Sequence, residues 1–227
     1  MRQKNIYKKH IELKKNNGSI ELPFRANHMY QEVPRAMLFS LARYKFVSKT
    51  LSGYNHVLEV GCGDGFFSRI VHSEVKNLSL SDFDLTYIQE AKRLHSGNSW
   101  KCNIIHHNIL SNKILTSKGK KFKAVYSMDT LEHIKKSDEK KYFTNICATL
   151  EKDGVFICGM PSLESQKYAS PISKKGHVNC KSGDDFKKIF KKYFKNVFMF
   201  SMNDEVLHTG YFKMSHYLIA VGVGVLK

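Results

Sequence analysis

The chain of 227 residues has no long apolar run. Its most apolar end segment, Tyr217–Leu226, is about ten residues, where a membrane-spanning helix needs roughly 20. That segment reads as a buried strand. The first residues, Met1–Lys15, are charged and hold no apolar core of a secretory signal, so a cytoplasmic protein is expected. There is no internal repeat and no long Pro/Ser/Gly linker. Paired cysteines are missing too. Cys62, Cys102, Cys147, Cys158 and Cys180 include no C-x-x-C and are odd in number, which speaks for a reducing setting and against a disulfide frame or a zinc site. His177 and Cys180 have a ligand-like spacing, but no second pair stands near them, so no metal is expected.

Acidic residues are few: 20 against 37 Lys and Arg, a net charge of +17. Such an excess suits phosphate-bearing partners. Yet arginine, the usual residue for specific phosphate and base recognition, is scarce: Arg2, Arg25, Arg35, Arg43, Arg69 and Arg93. The lysines are spread along the chain. A solvated lysine-rich surface with a mild preference for anionic substrates is expected, and nucleic acid is not the favoured partner. The 42% hydrophobic content is ordinary for a globular domain with a full core.

The informative stretch is Val57–Ser68, VLEVGCGDGFFS. Val57–Val60 suits a short buried strand. Glycines at 61, 63 and 65 follow, and a helix can begin at Phe66. Glycine turns at the carboxyl end of a strand let a nucleotide-like ligand approach the backbone closely, and the reading places turn N–H groups beside open space. Alone the pattern is weak, since such turns also bind nicotinamide cofactors. The next strand, Leu78–Ser81, runs into Asp82-Phe83-Asp84, and a carboxylate there can accept both ribose hydroxyls.

Together, E-x-G-x-G-x-G and the acidic strand end resemble the class I S-adenosylmethionine-dependent methyltransferases. Dehydrogenases space the turn G-x-G-x-x-G. The resemblance covers roughly Arg35–Val221, with residues 1–34 as an arm or cap and 35–227 as the domain. It implies an α/β, Rossmann-like, doubly wound sheet of seven strands, mostly parallel, ending in an antiparallel hairpin. It implies S-adenosylmethionine as cofactor and S-adenosylhomocysteine as product. Around the cofactor it sets Glu59, Gly61, Cys62 and Gly63 of the turn, Asp82 with Phe83, Asn108 with Ile109, and Met128. Asn108 stands where members often carry Asp to receive the adenine amino group. Arg43, on a helix over Arg35–Leu51, is a candidate for the methionine carboxylate, as are Tyr44 and Tyr30.

Along the chain, Met1–Asn17 reads as a mobile basic arm. Helices are expected over 85–95, 138–150 and 181–193, and strands over 102–106, 124–128, 155–160, 197–202 and 214–221. The last two strands form the hairpin, with an eleven-residue loop, Asn203–Lys213. After the fourth strand comes Asp129-Thr130-Leu131-Glu132-His133-Ile134, similar to the D-x-L-E-H-I segment of many small-molecule methyltransferases.

An alcohol acceptor needs a base, and histidine suits neutral pH. His133 is placed best by topology, although Glu-His at this point also serves only to cap the next segment. His177, in the loop after the fifth strand, reaches the same pocket, and Lys174 or Lys175 can position an anion. Asp204, Glu205, His208 and Tyr211 are weaker candidates in the hairpin loop. The stretches Pro161–Gln166, Gly176–Asn179 and Phe200–Glu205 look like a bacterial methyltransferase group associated with capsule and lipopolysaccharide assembly. This implies a glycan or nucleotide-linked acceptor methylated on a sugar or phosphoramidate oxygen. An RNA methyltransferase and a non-catalytic binding module are the alternatives. The Pro-Pro-aromatic motif of adenine amino methylation and the Pro-Cys of cytosine-carbon enzymes are both absent.

Overall fold

The computed structural model describes residues 2–96 and 100–226. One eight-stranded sheet runs in the order β3-β2-β1-β4-β5-β8-β6-β7. Its strands are β1 (Val57–Val60), β2 (Leu78–Asp82), β3 (Asn103–His106), β4 (Phe122–Met128), β5 (Leu150–Pro161), β6 (Phe194–Asn203), β7 (Val206–His208) and β8 (Tyr217–Val225). The first five are parallel, and β8 runs antiparallel between β5 and β6. Short apolar runs buried on both faces are what a parallel sheet covered by helices requires. Along β1, Val57 packs into one core and Leu58 into the other, as the two-residue period of a strand dictates.

One face is covered by Tyr44 and Val47 of α3 (Pro34–Thr50) together with Val71 of α4 (Ser68–His72). The other is covered by α6 (Glu139–Thr149) and α8 (Gly183–Phe190), whose Phe143 and Phe190 meet Phe156 of β5. The Phe156 and Phe190 rings stack at 5.4 Å, with 3° between their planes. Truncating a buried ring of this kind to alanine costs about 3–5 kcal/mol. Helix α5 (Leu85–His95) links β2 to β3. No described helix is long and apolar enough to cross a membrane.

Two expectations are corrected. The sheet has eight strands and not seven, because the presumed hairpin loop is itself paired. In it, Asp204 takes a left-handed backbone (φ 51°) and lets β7 fold back on β6. The basic arm is a helix, α1 (Arg2–Asn17). It has little apolar periodicity, which hid it, but Lys, Leu, Ile and Glu are adequate helix formers. Gly18 (φ 73°) ends it by donating its N–H to the Lys14 carbonyl at 2.9 Å. A further helix, α2 (Phe24–Glu32), precedes α3.

Candidate active site

The strand order reverses between β1 and β4, and ligands in open α/β sheets bind at the carboxyl ends of strands at such a point. A cavity of about 800 Å³ lies there. The turn after β1 forms its floor. Gly61, Gly63 and Gly65 have φ of 79°, 55° and 71°, a region that costs an ordinary residue about 1–2 kcal/mol. A Cβ on Gly61 would overlap Thr130 Oγ1, and one on Gly63 would lie 3.3 Å from Arg25 Nη1.

The amides of Gly61, Cys62, Gly63 and Gly65 are not free, as the sequence had suggested. Gly61 and Cys62 donate to the Ser81 carbonyl, Gly65 donates to the Cys62 carbonyl, and Gly63 donates to Asp82 Oδ2 at 2.9 Å. Its contribution is close approach and the setting of Asp82. That carboxylate takes one backbone N–H on each oxygen, from Gly63 and, at 2.9 Å, from Asp84. A carboxylate has about four acceptor sites, so two remain for a vicinal diol. The cavity wall continues through Phe83, Tyr87, Asn108, Ile109 and Leu110. Asn108 Oδ1 accepts Leu110 N–H at 2.9 Å, which leaves one lone pair for an amino group.

Three expected cofactor residues do not line this cavity. Glu59 is fully buried behind the turn, where it accepts the hydroxyls of Tyr44 (2.6 Å), Ser68 (2.5 Å) and Tyr126 (2.6 Å). Burial lifts its pKa from 4.5 to about 7, against the opposing pull of those hydroxyls. Cys62 and Met128 point into the core. Tyr44 is held by Glu59 and Tyr30 is exposed. Neither lines the cavity, and the hairpin candidates Asp204, Glu205, His208 and Tyr211 stand away from it as well.

Arg43 does line the cavity, but it is engaged. Its Nη1 lies 3.1 Å from Asp129 Oδ2, and its guanidinium sits 3.7 Å over the Tyr217 ring. Burial disfavours the Asp129 charge, yet Arg43 and then Arg25 outweigh it and hold the pKa below its ordinary value. The Arg25 side chain, on α2, makes no hydrogen bond or ion pair among the described residues and faces the glycine turn, which makes it the freer cation for a carboxylate. Sequence reasoning missed it because its segment shows no motif, although arginine is rare in this chain. Helix α2 is fastened over the turn where the Ala26 N–H donates to buried Asp64 Oδ2 at 3.2 Å and Phe24 stacks on Tyr87 at 4.9 Å.

At the far end of the cavity stand Glu132, His133, Lys135, Pro161 and His177. The two expected histidines do come together, with ring centroids 5.2 Å apart. Burial, then the neighbouring His133, lowers the His177 pKa, which favours the neutral imidazole. Burial, then Asp129, pushes the Glu132 carboxyl well above its ordinary range.

Residues 57–154 match the family model of the methyltransferase domain. Solved structures similar to it include an S-adenosylmethionine-dependent methyltransferase from Clostridium acetobutylicum (TM-score 0.66, 16% identity, covering 87% of this chain and 97% of that one). Another is the N-methyltransferase NodS from Bradyrhizobium japonicum in complex with S-adenosyl-L-homocysteine (0.58, 17%, 84% and 85%). A third is the small RNA methyltransferase HEN1 (0.65, 14%, 82% and 25%). No curated protein matches the sequence. The family match ends at the turn of β5, and the strands beyond it belong to the same sheet.

Proposed function

We propose that the protein is an S-adenosylmethionine-dependent methyltransferase that methylates an oxygen of a small, anionic or glycan-linked acceptor, in the assembly of a capsule or other surface polysaccharide. The observation that carries the reading is the continuity of one cavity. It joins the Asp82–glycine-turn end, which fits a nucleoside with a carboxylate, to the His133–His177 end, which fits an acceptor. Gly61 and Gly63 support the fit, since they line the cavity and a Cβ at either would press on Thr130 or Arg25 in its wall.

When bound, the cofactor supplies a methyl group on a sulfonium. The protein residues align and desolvate. Asp82 accepts ribose hydroxyls, Asn108 accepts an amino hydrogen against Ile109, and Arg25 pairs a carboxylate. Helix α2 with residues 1–34 acts as the cap over this end. At the other end, His133 and His177 each have one ring nitrogen held by a carbonyl oxygen. The other nitrogen is free to take a hydroxyl proton. Lys135, on the rim, suits a negative acceptor. The oxygen acceptor and the surface-glycan setting rest on the sequence resemblance alone.

The +17 charge favours a second reading, an RNA acceptor. Exclusion of nucleic acid has no support, because the similar structures include a small RNA methyltransferase. The test is incubation with methyl-labelled S-adenosylmethionine and two pools, nucleotide-linked and glycan material from a capsulated bacterium and total RNA. Label on oxygen in the first pool is expected. Label confined to RNA would replace this acceptor assignment with the second reading.

A further inference from the structure

Glu132, His133 and His177 each bring one ligand-type atom to within 4.8 Å of the others. The order of the side chains around them is informative. His133 Nδ1 donates to the Gly176 carbonyl at 3.0 Å, and His177 Nδ1 donates to Gln166 Oε1 at 2.9 Å. Both acceptors are carbonyl oxygens, so both ring hydrogens sit on Nδ1 and both Nε2 atoms keep a lone pair. Glu132 is 1% exposed, and its Oε2 has no hydrogen-bond partner among the described residues. A buried oxygen of this kind is unfavourable unless something binds it.

The loop that carries His177 is also fixed in place. The Asn179 N–H donates to the Glu132 carbonyl at 3.0 Å. The Asn179 side chain donates to Glu139 Oε2 at 3.0 Å, and Glu139 in turn pairs with Lys181. The three ligand-type groups are therefore preorganised, on two segments more than forty residues apart in sequence.

We propose that Glu132, His133 and His177 form a divalent-cation site at the acceptor end of the cavity. Two imidazole nitrogens and one carboxylate oxygen suit a first-row transition ion such as zinc, manganese, iron or cobalt. Magnesium and calcium take all-oxygen sets. Anchoring both Nδ1 hydrogens on carbonyl oxygens is how metal-ligating histidines are oriented. Three protein ligands leave positions open for an exogenous oxygen.

The site stands on this geometry. Its role toward an acceptor rests on the methyltransferase reading. An acceptor hydroxyl that completes the shell loses its proton to water more readily. Its oxygen lone pair forms the O–CH₃ bond while the C–S bond breaks and that electron pair leaves on sulfur. With an ion bound, the histidines serve as ligands and water takes the proton.

The test uses the full chain, stripped by a chelator and titrated with Co²⁺, read by visible absorption and calorimetry. S-adenosylmethionine affinity is measured on the same samples. One Co²⁺ per chain with ligand-field bands is expected. His133→Ala and His177→Ala should each weaken it at least about tenfold. Gln166→Ala, which removes only the outer acceptor, should weaken it about 10-fold and leave cofactor affinity unchanged. Cofactor binding without any cobalt binding overturns the cation site and leaves the methyltransferase reading intact. Cobalt binding unchanged in both histidine variants also overturns it. Cobalt binding lost in those variants, in a protein with no cofactor affinity, supports the site and sinks the methyltransferase reading.

Discussion

Arg43 and Asp129 form a partly buried ion pair across the mouth of the sheet, Nη1 to Oδ2 3.1 Å, with side-chain exposures of 19% and 17%. Asp129 holds this position with a left-handed backbone, φ 54°. Removing one partner strands the other in a poorly hydrated place. Because both side chains keep some contact with water, Asp129→Asn should destabilise the protein by about 1–3 kcal/mol. Urea unfolding of the variant beside wild type measures this. Asn tolerates the left-handed region, so the loss reports the charge and not the backbone.

The contact between Gly61 and Thr130 gives a second expectation. Gly61→Ala carries a left-handed strain of about 1–2 kcal/mol plus overlap with the Thr130 side chain. In a Thr130→Ala background only the overlap part should be recovered. A double-mutant cycle by denaturant unfolding separates the two, and full recovery would show that φ at Gly61 is not constrained.

Asp82→Ala should weaken S-adenosylmethionine binding by about tenfold to a hundredfold, the scale of one hydrogen bond to a charged group. His133→Ala should leave cofactor binding nearly unchanged, because His133 stands at the other end of the cavity. Calorimetric titration of both variants checks the order. The reverse order would contradict the assignment of the two ends.

Glu59 predicts a pH dependence. Its folded-state pKa, about 7, lies above the ordinary 4.5. Its contribution to stability is therefore complete below about pH 4.5 and is lost as pH rises toward 7. The span is on the order of 3 kcal/mol. Wild type and Glu59→Gln compared by urea unfolding at pH 5 and pH 8 should show that the variant has the flatter profile. Equal slopes would mean that Tyr44, Ser68 and Tyr126 hold the carboxylate ionised.

The histidine pair gives the last expectation. His177→Ala should slow methyl transfer while cofactor affinity stays within about twofold of wild type, a difference under roughly 0.5 kcal/mol. Single-turnover rates with labelled cofactor measure this, and unchanged transfer would remove His177 from the acceptor chemistry.

The parallel half of the fold was legible residue by residue, because it is written in local pattern. Val57–Val60 is an unbroken apolar run, the glycines at 61, 63 and 65 are needed by their own backbone angles, and Asp82 closes the adjacent strand. The far histidines were legible as a pair only because the topology of parallel strands brings their loops to one edge. What lies off that pattern needed the tertiary structure. The helix of residues 2–17 has no apolar stripe to betray it, and β7 is three residues long and exists through its pairing with β6. The inward turn of Glu59, Cys62 and Met128 depends on which face of the sheet each side chain leaves. Arg25 reaches the glycine turn from 38 positions upstream of Gly63, and Gln166 fixes the His177 ring from a short 3-10 turn in the same connection between β5 and α8. The sequence by itself determined the parallel strands, the turn and the acidic strand end, since short-range sterics and periodicity decide them. Only the tertiary structure decided which polar groups face the cavity and which are consumed in the core, since that depends on long-range packing.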